Sequence, residues 1–272
     1  DSFRALALDE QVIRIESTMA SRLVREAEKE AERAAMLEGG RLAREKAAAE
    51  REARERDPKY IARIKNQELR ARYGINFYVE QHHFPRVMRI LKSVEADQRM
   101  GQEDFEWLCS ESEDYFSDAL WSAYHRLEAA FFVGEFNRTR DPWMAVNASS
   151  HYRKCGRAGD ADSLLGSINV DQQKTARLQS ALCTTRGGAK RDLQDWNEGI
   201  RLGEKAHALT PKHFHPCTLH GAIYMELGNH SRGQEWYAKA VERGATVESV
   251  DRDIRTIFRQ SGHDKQVEMR TF

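Results

Sequence analysis

His213, His215, Cys217 and His220 are the densest run of metal-ligating side chains in the chain. Zinc takes imidazole and thiolate donors, but about four of them must converge on one point. On a single helix these spacings splay the donors around the axis. His215 is expected to face a groove, while Cys217 and His220 turn inward between helices. Structural zinc sites also draw ligands from two separated segments, so no metal is expected here. His82 and His83, beside Glu80, offer an acid–base pair in principle. No third partner is identifiable, and a surface or hinge role is expected for them. Cys183 reads as a small core thiol. Trp107, Trp121, Trp143, Trp196 and Trp236 are scattered at helix-packing positions and form no base-stacking ladder. No GxxxxGK[ST], strand-borne GxGxxG, HExxH or GxSxG occurs, which removes the common nucleotide-binding and hydrolase classes. No catalytic residue and no cofactor are expected, and the chain reads as a binding protein and not an enzyme.

The remaining candidate chemistry is electrostatic. Lys plus Arg and Asp plus Glu balance at 43 each, so any field must come from local patches. Residues 41–72 carry eleven Lys or Arg against six Asp or Glu, an excess of five positive charges. Within them Arg63, Lys65, Arg70 and Arg72 are interleaved with Tyr60 and Tyr73. Cations on one helix face contact phosphates and make binding salt-dependent. The competing reading is a solvated helix with internal ion pairs, and it is preferred.

Helices must position these groups. Leu8, Val12, Ile15, Met19 and Leu23 recur at steps of three or four, an apolar seam on one helix face. Beyond it alanines alternate with Glu, Arg and Lys, all strong helix formers. Gly39 and Gly40 weaken this helix, and Asp57-Pro58 is expected to end it. The seam is too short for a sustained coiled coil. Residues 58–140 regain bulky apolar positions at helical spacing, including Phe84, Val87, Met88 and Leu91, then Leu120, Tyr124, Leu127 and Phe131. Period-two alternation is missing, so no strand is expected. No apolar run approaches the ~20 residues that span a bilayer. The first residues lack the apolar core of a secretory signal. The four cysteines are dispersed, as in a cytoplasmic protein with reduced thiols.

A repeat organises the rest. Residues 186–211 align with residues 220–245 at a fixed offset of 34, pairing Gly187 with Gly221, Gly199 with Gly233, Gly203 with Tyr237 and Ala206 with Ala240. The paired glycines mark places where two helices come close together. Tyr152, Gly156, Ala161, Leu164 and Leu165 supply a looser unit, in which Ala161 stands 38 residues before Gly199. On these residues the chain resembles the tetratricopeptide (TPR) repeat family over about residues 142–245, with Lys190 replacing the usual aromatic. Residues 246–260 place Val250, Ile254 and Ile257 on one face, as a capping helix needs.

The resemblance implies an all-α protein. Residues 1–57 form a long charged helix, a possible docking or dimerising arm, and 58–140 a helical middle region. Residues 141–272 form a short α-α solenoid with a C-terminal cap. It also implies a partner protein bound on the concave face, through Thr184, Gly188, Arg191 and Asp192 from one hairpin and His215, Thr218, Ala222 and Met225 from the next. Arg191 with His215 is expected to receive an acidic segment or a C-terminal carboxylate. The expected function is a protein–protein adaptor. The alternative is a nucleic-acid-associated accessory protein that uses residues 41–72. No membrane contact is expected.

Overall fold

A computed structural model describes residues 8–271, and every regular element among them is helical. Among the described residues no helix is long and apolar enough to cross a membrane. The chain divides into two compact units, Asp1–Glu68 and Leu69–Phe272.

The first unit holds α1 (Leu8–Arg56), 49 residues with none buried. Its helicity therefore rests on local terms. Arg41 pairs with Glu38 and Glu45, and Arg56 with Glu52, at i,i+3 and i,i+4 spacing, each worth a few tenths of a kcal/mol. Gly39 and Gly40 do not interrupt it. The seam residues Leu8, Val12, Ile15, Met19 and Leu23 are all exposed. The helix stops at Asp57, whose carboxylate accepts a bond from the Lys59 amide at 2.9 Å. Pro58 then opens α2 (Pro58–Arg72), where a missing N–H does no harm.

The second unit begins with α3 (Phe84–Glu95), α4 (Gln102–Ser110) and α5 (Asp118–Thr139). Ile75, Leu91, Trp107, Leu108 and Leu120 form their core. Two buried carboxylates tie it together. Asp104 accepts from Arg86 and Arg89, and Glu128 takes a two-bond grip from Arg99 at 2.7–2.8 Å.

Four helical hairpins follow: α6 (Pro142–Lys154) with α7 (Ala158–Gly166), α8 (Ala176–Asp192) with α9 (Trp196–Leu209), α10 (His215–Glu226) with α11 (His230–Glu242), and α12 (Val247–Gln260) with α13 (His263–Thr271). The turns of the first three are alike. A left-handed residue, Gly156 (φ +74°), Gln194 (φ +61°) or Gly228 (φ +80°), ends each first helix. The next amide then reaches back five residues: Arg157 to the Tyr152 carbonyl, Asp195 to Lys190, Asn229 to Tyr224. This is the helix-ending motif that satisfies orphan carbonyls. Their separations, 38 and then 34, match the sequence offsets.

Helices α8 and α9 run antiparallel, since Gly187 faces Gly199 while the Ser180 hydroxyl reaches the Ala206 carbonyl at 2.9 Å. A methyl at Gly187 would stand 2.7 Å from a Leu219 methyl and 3.2 Å from the Gly199 carbonyl oxygen. Backbone meets backbone there. In the next hairpin Gly221 lies under the Tyr237 ring and Gly233 under the Met225 thioether, each leaving under 3.0 Å for a methyl. First helices also meet across hairpins, α6 on α8, α8 on α10 and α10 on α12. The segment expected to be a cap, α12, packs on α10, and α13 follows it as a second helix.

Candidate functional site

The row of first helices leaves a cleft of about 480 Å³ along its face, within the usual size of a binding pocket. Helix α6 brings Trp143 and Val146 to it, α8 brings Arg177, Thr184 and Gly188, and α10 brings Thr218 and Leu219. Thr184 and Thr218 stand 34 residues apart in sequence, at equivalent positions of two hairpins. Arg191 and His215 also line the cleft, and Asp253 enters it from α12.

Three expected members lie elsewhere. Met225 is buried against Gly233, and Ala222 is buried as well. Both side chains fill the space between helices, because the glycine opposite Met225 makes a socket that draws it inward. Asp192 lines a neighbouring charged recess with Glu226, Asp253 and Lys265.

The charges there form a ladder between hairpins. Arg153 holds Asp192 through two bonds, 2.7 Å from Nε and 3.2 Å from Nη2. One hairpin later, Arg191 lies 3.7 Å from Glu226 and 3.3 Å from Asp192. Arg191 stands 38 residues after Arg153, and Glu226 stands 34 after Asp192. Gly188 makes the first rung possible, since any side chain on it would collide with the Arg153 guanidinium. Asp253 completes the cluster, accepting a 2.5 Å bond from the Tyr237 hydroxyl. Burial opposes the charge on Arg191, but Glu226, Asp192 and Asp253 outweigh it and hold its pKa above the ordinary value. Glu226 goes up, because burial and the acids Asp192 and Asp253 outweigh Arg191.

This bears on one expectation. Arg191 is already neutralised by two carboxylates. His215 is held neutral by burial and by neighbouring His213, on which it stacks at 5.0 Å. To receive an incoming acid, Arg191 would have to exchange one of these partners. The cation offered by the cleft is Arg177, poised 5.8 Å above the Trp143 ring with no acid in ion-pair range among the described residues. The hydroxyls of Ser150, Thr184 and Thr185 complete a neutral, hydrogen-bonding lining.

Comparison with family models, with curated proteins and with solved structures gives no match. The reading of this chain therefore rests on its own geometry.

The basic segment is also changed. Arg70 donates to the Phe77 carbonyl at 3.2 Å and lies 5.8 Å from the Phe84 ring. Arg72 is bonded to Glu95. Both thus have partners within the second unit, contributed by residues further along the chain, and Arg72 stays exposed beside its own. Arg63 rests 5.3 Å over Tyr60, and Lys65 is exposed. Two residues apart, these point to different sides of the helix.

The histidine–cysteine run splays as expected. Cys217 receives a bond from Arg243, and buried His220 stacks on Trp236 at 4.5 Å.

Proposed function

We propose that the chain is a protein–protein adaptor whose four hairpins form a tetratricopeptide-like array holding an extended segment of a partner. The observation that carries this reading is the cleft itself, lined in register by successive first helices, with Thr184 and Thr218 at the same place in adjacent hairpins. An extended peptide brings backbone amides and carbonyls that need partners, and a row of hydroxyls supplies them. A carboxylate on that segment would meet Arg177 and not Arg191. The nucleic-acid alternative keeps the other exposed cations of residues 41–72, among them Arg44, Lys46, Arg51, Arg54, Lys59, Arg63 and Lys65, and is the second outcome of the test.

The test is capture of a partner by the tagged full chain from its host, with nuclease, followed by direct titration of the identified partner. Thr184→Arg and Thr218→Arg block the cleft without touching the charge ladder. We expect a partner that survives nuclease and loses at least tenfold in affinity, about 1.4 kcal/mol, with either substitution. Equal affinity in both folded variants would remove the cleft from consideration. Recovery that vanishes with nuclease would favour nucleic acid.

The exposed seam of α1 supports a second role as a dimerising arm. Sedimentation of the full chain should show self-association that rises with concentration and is lost in Met19→Glu. A monomer at every concentration would leave the seam to some other partner.

A further inference from the structure

The turn before α3 collects three donors that the adaptor reading does not use. His83 caps α3, and the turn is closed by the amides of His83 and Phe84 bonding to the Glu80 carbonyl at 3.0 and 2.9 Å. The turn folds the side chains of Glu80, His82 and His83 together. The Glu80 Oε2 atom lies 3.3 Å from His82 Nε2 and 3.9 Å from His83 Nδ1, and one donor atom from each residue lies within 4.8 Å of the others.

These separations are long for hydrogen bonds, but they suit a shared cation. Bonds of about 2.0–2.1 Å at a tetrahedral centre set neighbouring donors roughly 3.3 Å apart. One edge already has that length, and the others need only small rotations of the exposed Glu80 and His82 side chains. His83 is the fixed member. Its ring is held edge-on to Trp107 at 5.2 Å and to Tyr115 at 5.7 Å. The Tyr115 hydroxyl also accepts a bond from the Glu80 amide at 3.3 Å, fixing the turn from below. The His83 Nδ1 atom is buried with no hydrogen-bond partner. A shielded nitrogen left unpaired is costly and calls for an explanation, and a lone pair directed at a cation provides one.

We propose that Glu80, His82 and His83 bind one first-row divalent cation, Zn2+ foremost. Two imidazoles and one carboxylate suit a borderline ion, whereas Ca2+ and Mg2+ call for more oxygen ligands. Three protein ligands leave a fourth position open to water or to an outside donor. The positive end of α3 opposes a cation here, and the Glu80 carboxylate offsets it, so the affinity is moderate. Protons compete for the same nitrogens, so binding weakens on acidification.

The test titrates Co2+ into metal-free full-length protein, following visible d–d absorption, then displaces it with Zn2+ in a calorimeter. We expect one equivalent with a tetrahedral spectrum. His82→Ala and Glu80→Gln should each weaken binding by roughly tenfold or more, since even an outer-shell partner is worth about that much. Both side chains are exposed, so these variants fold, which circular dichroism would verify; half-buried His83 is left intact. His215→Ala should bind like the wild type. No saturable binding would overturn the proposal. So would binding that is unchanged in His82→Ala and Glu80→Gln, or lost in His215→Ala.

Discussion

Arg191→Glu should destabilise the second unit by about 3 kcal/mol or more, the loss expected when one partner of a buried ion pair is removed and the other stays behind. The Arg191 and Glu226 side chains are only 19% and 20% exposed. The substitution would place a fourth carboxylate beside Asp192, Glu226 and Asp253, with Arg153 on Asp192 and Lys265 on the Glu226 carbonyl as the cations in the cluster. Urea unfolding followed by circular dichroism measures it as a lower midpoint at unchanged slope. A second variant separates charge from packing. Arg191→Met with Glu226→Met removes both members and should recover much of the lost stability, because a buried pair replaced by apolar groups is often neutral. If Arg191→Glu unfolds within about 0.5 kcal/mol of the wild type, an ordinary surface effect, the ladder does not hold the hairpins together. The same reasoning disqualifies Arg191→Glu as a probe of partner binding, because it would disturb the fold first.

Acidification should weaken the protein steeply, starting near pH 6.5. Burial holds His125 down to about 3, with Lys154 and His151 adding to the effect, and holds His220 down to about 4. His125 shares a proton with His151 across 2.7 Å between their Nδ1 atoms. His220 lies against Gly203, where a methyl would come within 2.9 Å of its ring. Above pH 6.5 both residues are neutral whether the chain is folded or not, so they add no slope. Below it the unfolded chain takes up protons that the native state refuses. Stability then falls by up to ~1.4 kcal/mol per pH unit for each histidine until the native pKa is reached. At about pH 4.5 the pair together removes roughly 4–5 kcal/mol. His151, His207 and His215, also held down by burial, act in the same sense. Glu226, held up, acts in the opposite sense. Urea midpoints at pH 7.5 and 4.5 measure the slope, and His220→Phe, which keeps the stack on Trp236, should flatten it by about half. An unchanged slope in that variant would mean that His220 is not the group refusing the proton.

Much of the architecture could be read from spacing. The helical character of the described residues followed from composition and from periods of three and four. The 34- and 38-residue offsets reappear as the distances between the left-handed turn residues Gly156, Gln194 and Gly228. The glycines paired across 34 positions do lie where helices touch. What could not be read was the partner of each side chain. Arg70 and Arg72 look like free cations until the chain returns with the Phe77 carbonyl and Glu95. Met225 looks like a groove residue until Gly233 opens a socket behind it. Arg191 looks available until Glu226 arrives from the next hairpin. Even so, Arg153 with Arg191 and Asp192 with Glu226 share the repeat's own offsets, so the ladder was present in the sequence as a pattern of charge. Glu80, His82 and His83 sit in one turn, so their proximity was legible. The lack of hydrogen bonds among them was not.

The ladder also bears on how such a chain can change its length. Each arginine is answered by an acid one hairpin further on, and the series ends where Met225 and Gln260 occupy the corresponding places. Excising one entire hairpin would bring Arg153 opposite Glu226, still a matched pair, whereas excising a single helix would strand a charge. The joint between neighbours is thus interchangeable but directional. Lengthening or shortening by whole modules leaves every junction electrically sound, and a reversed module would set like against like.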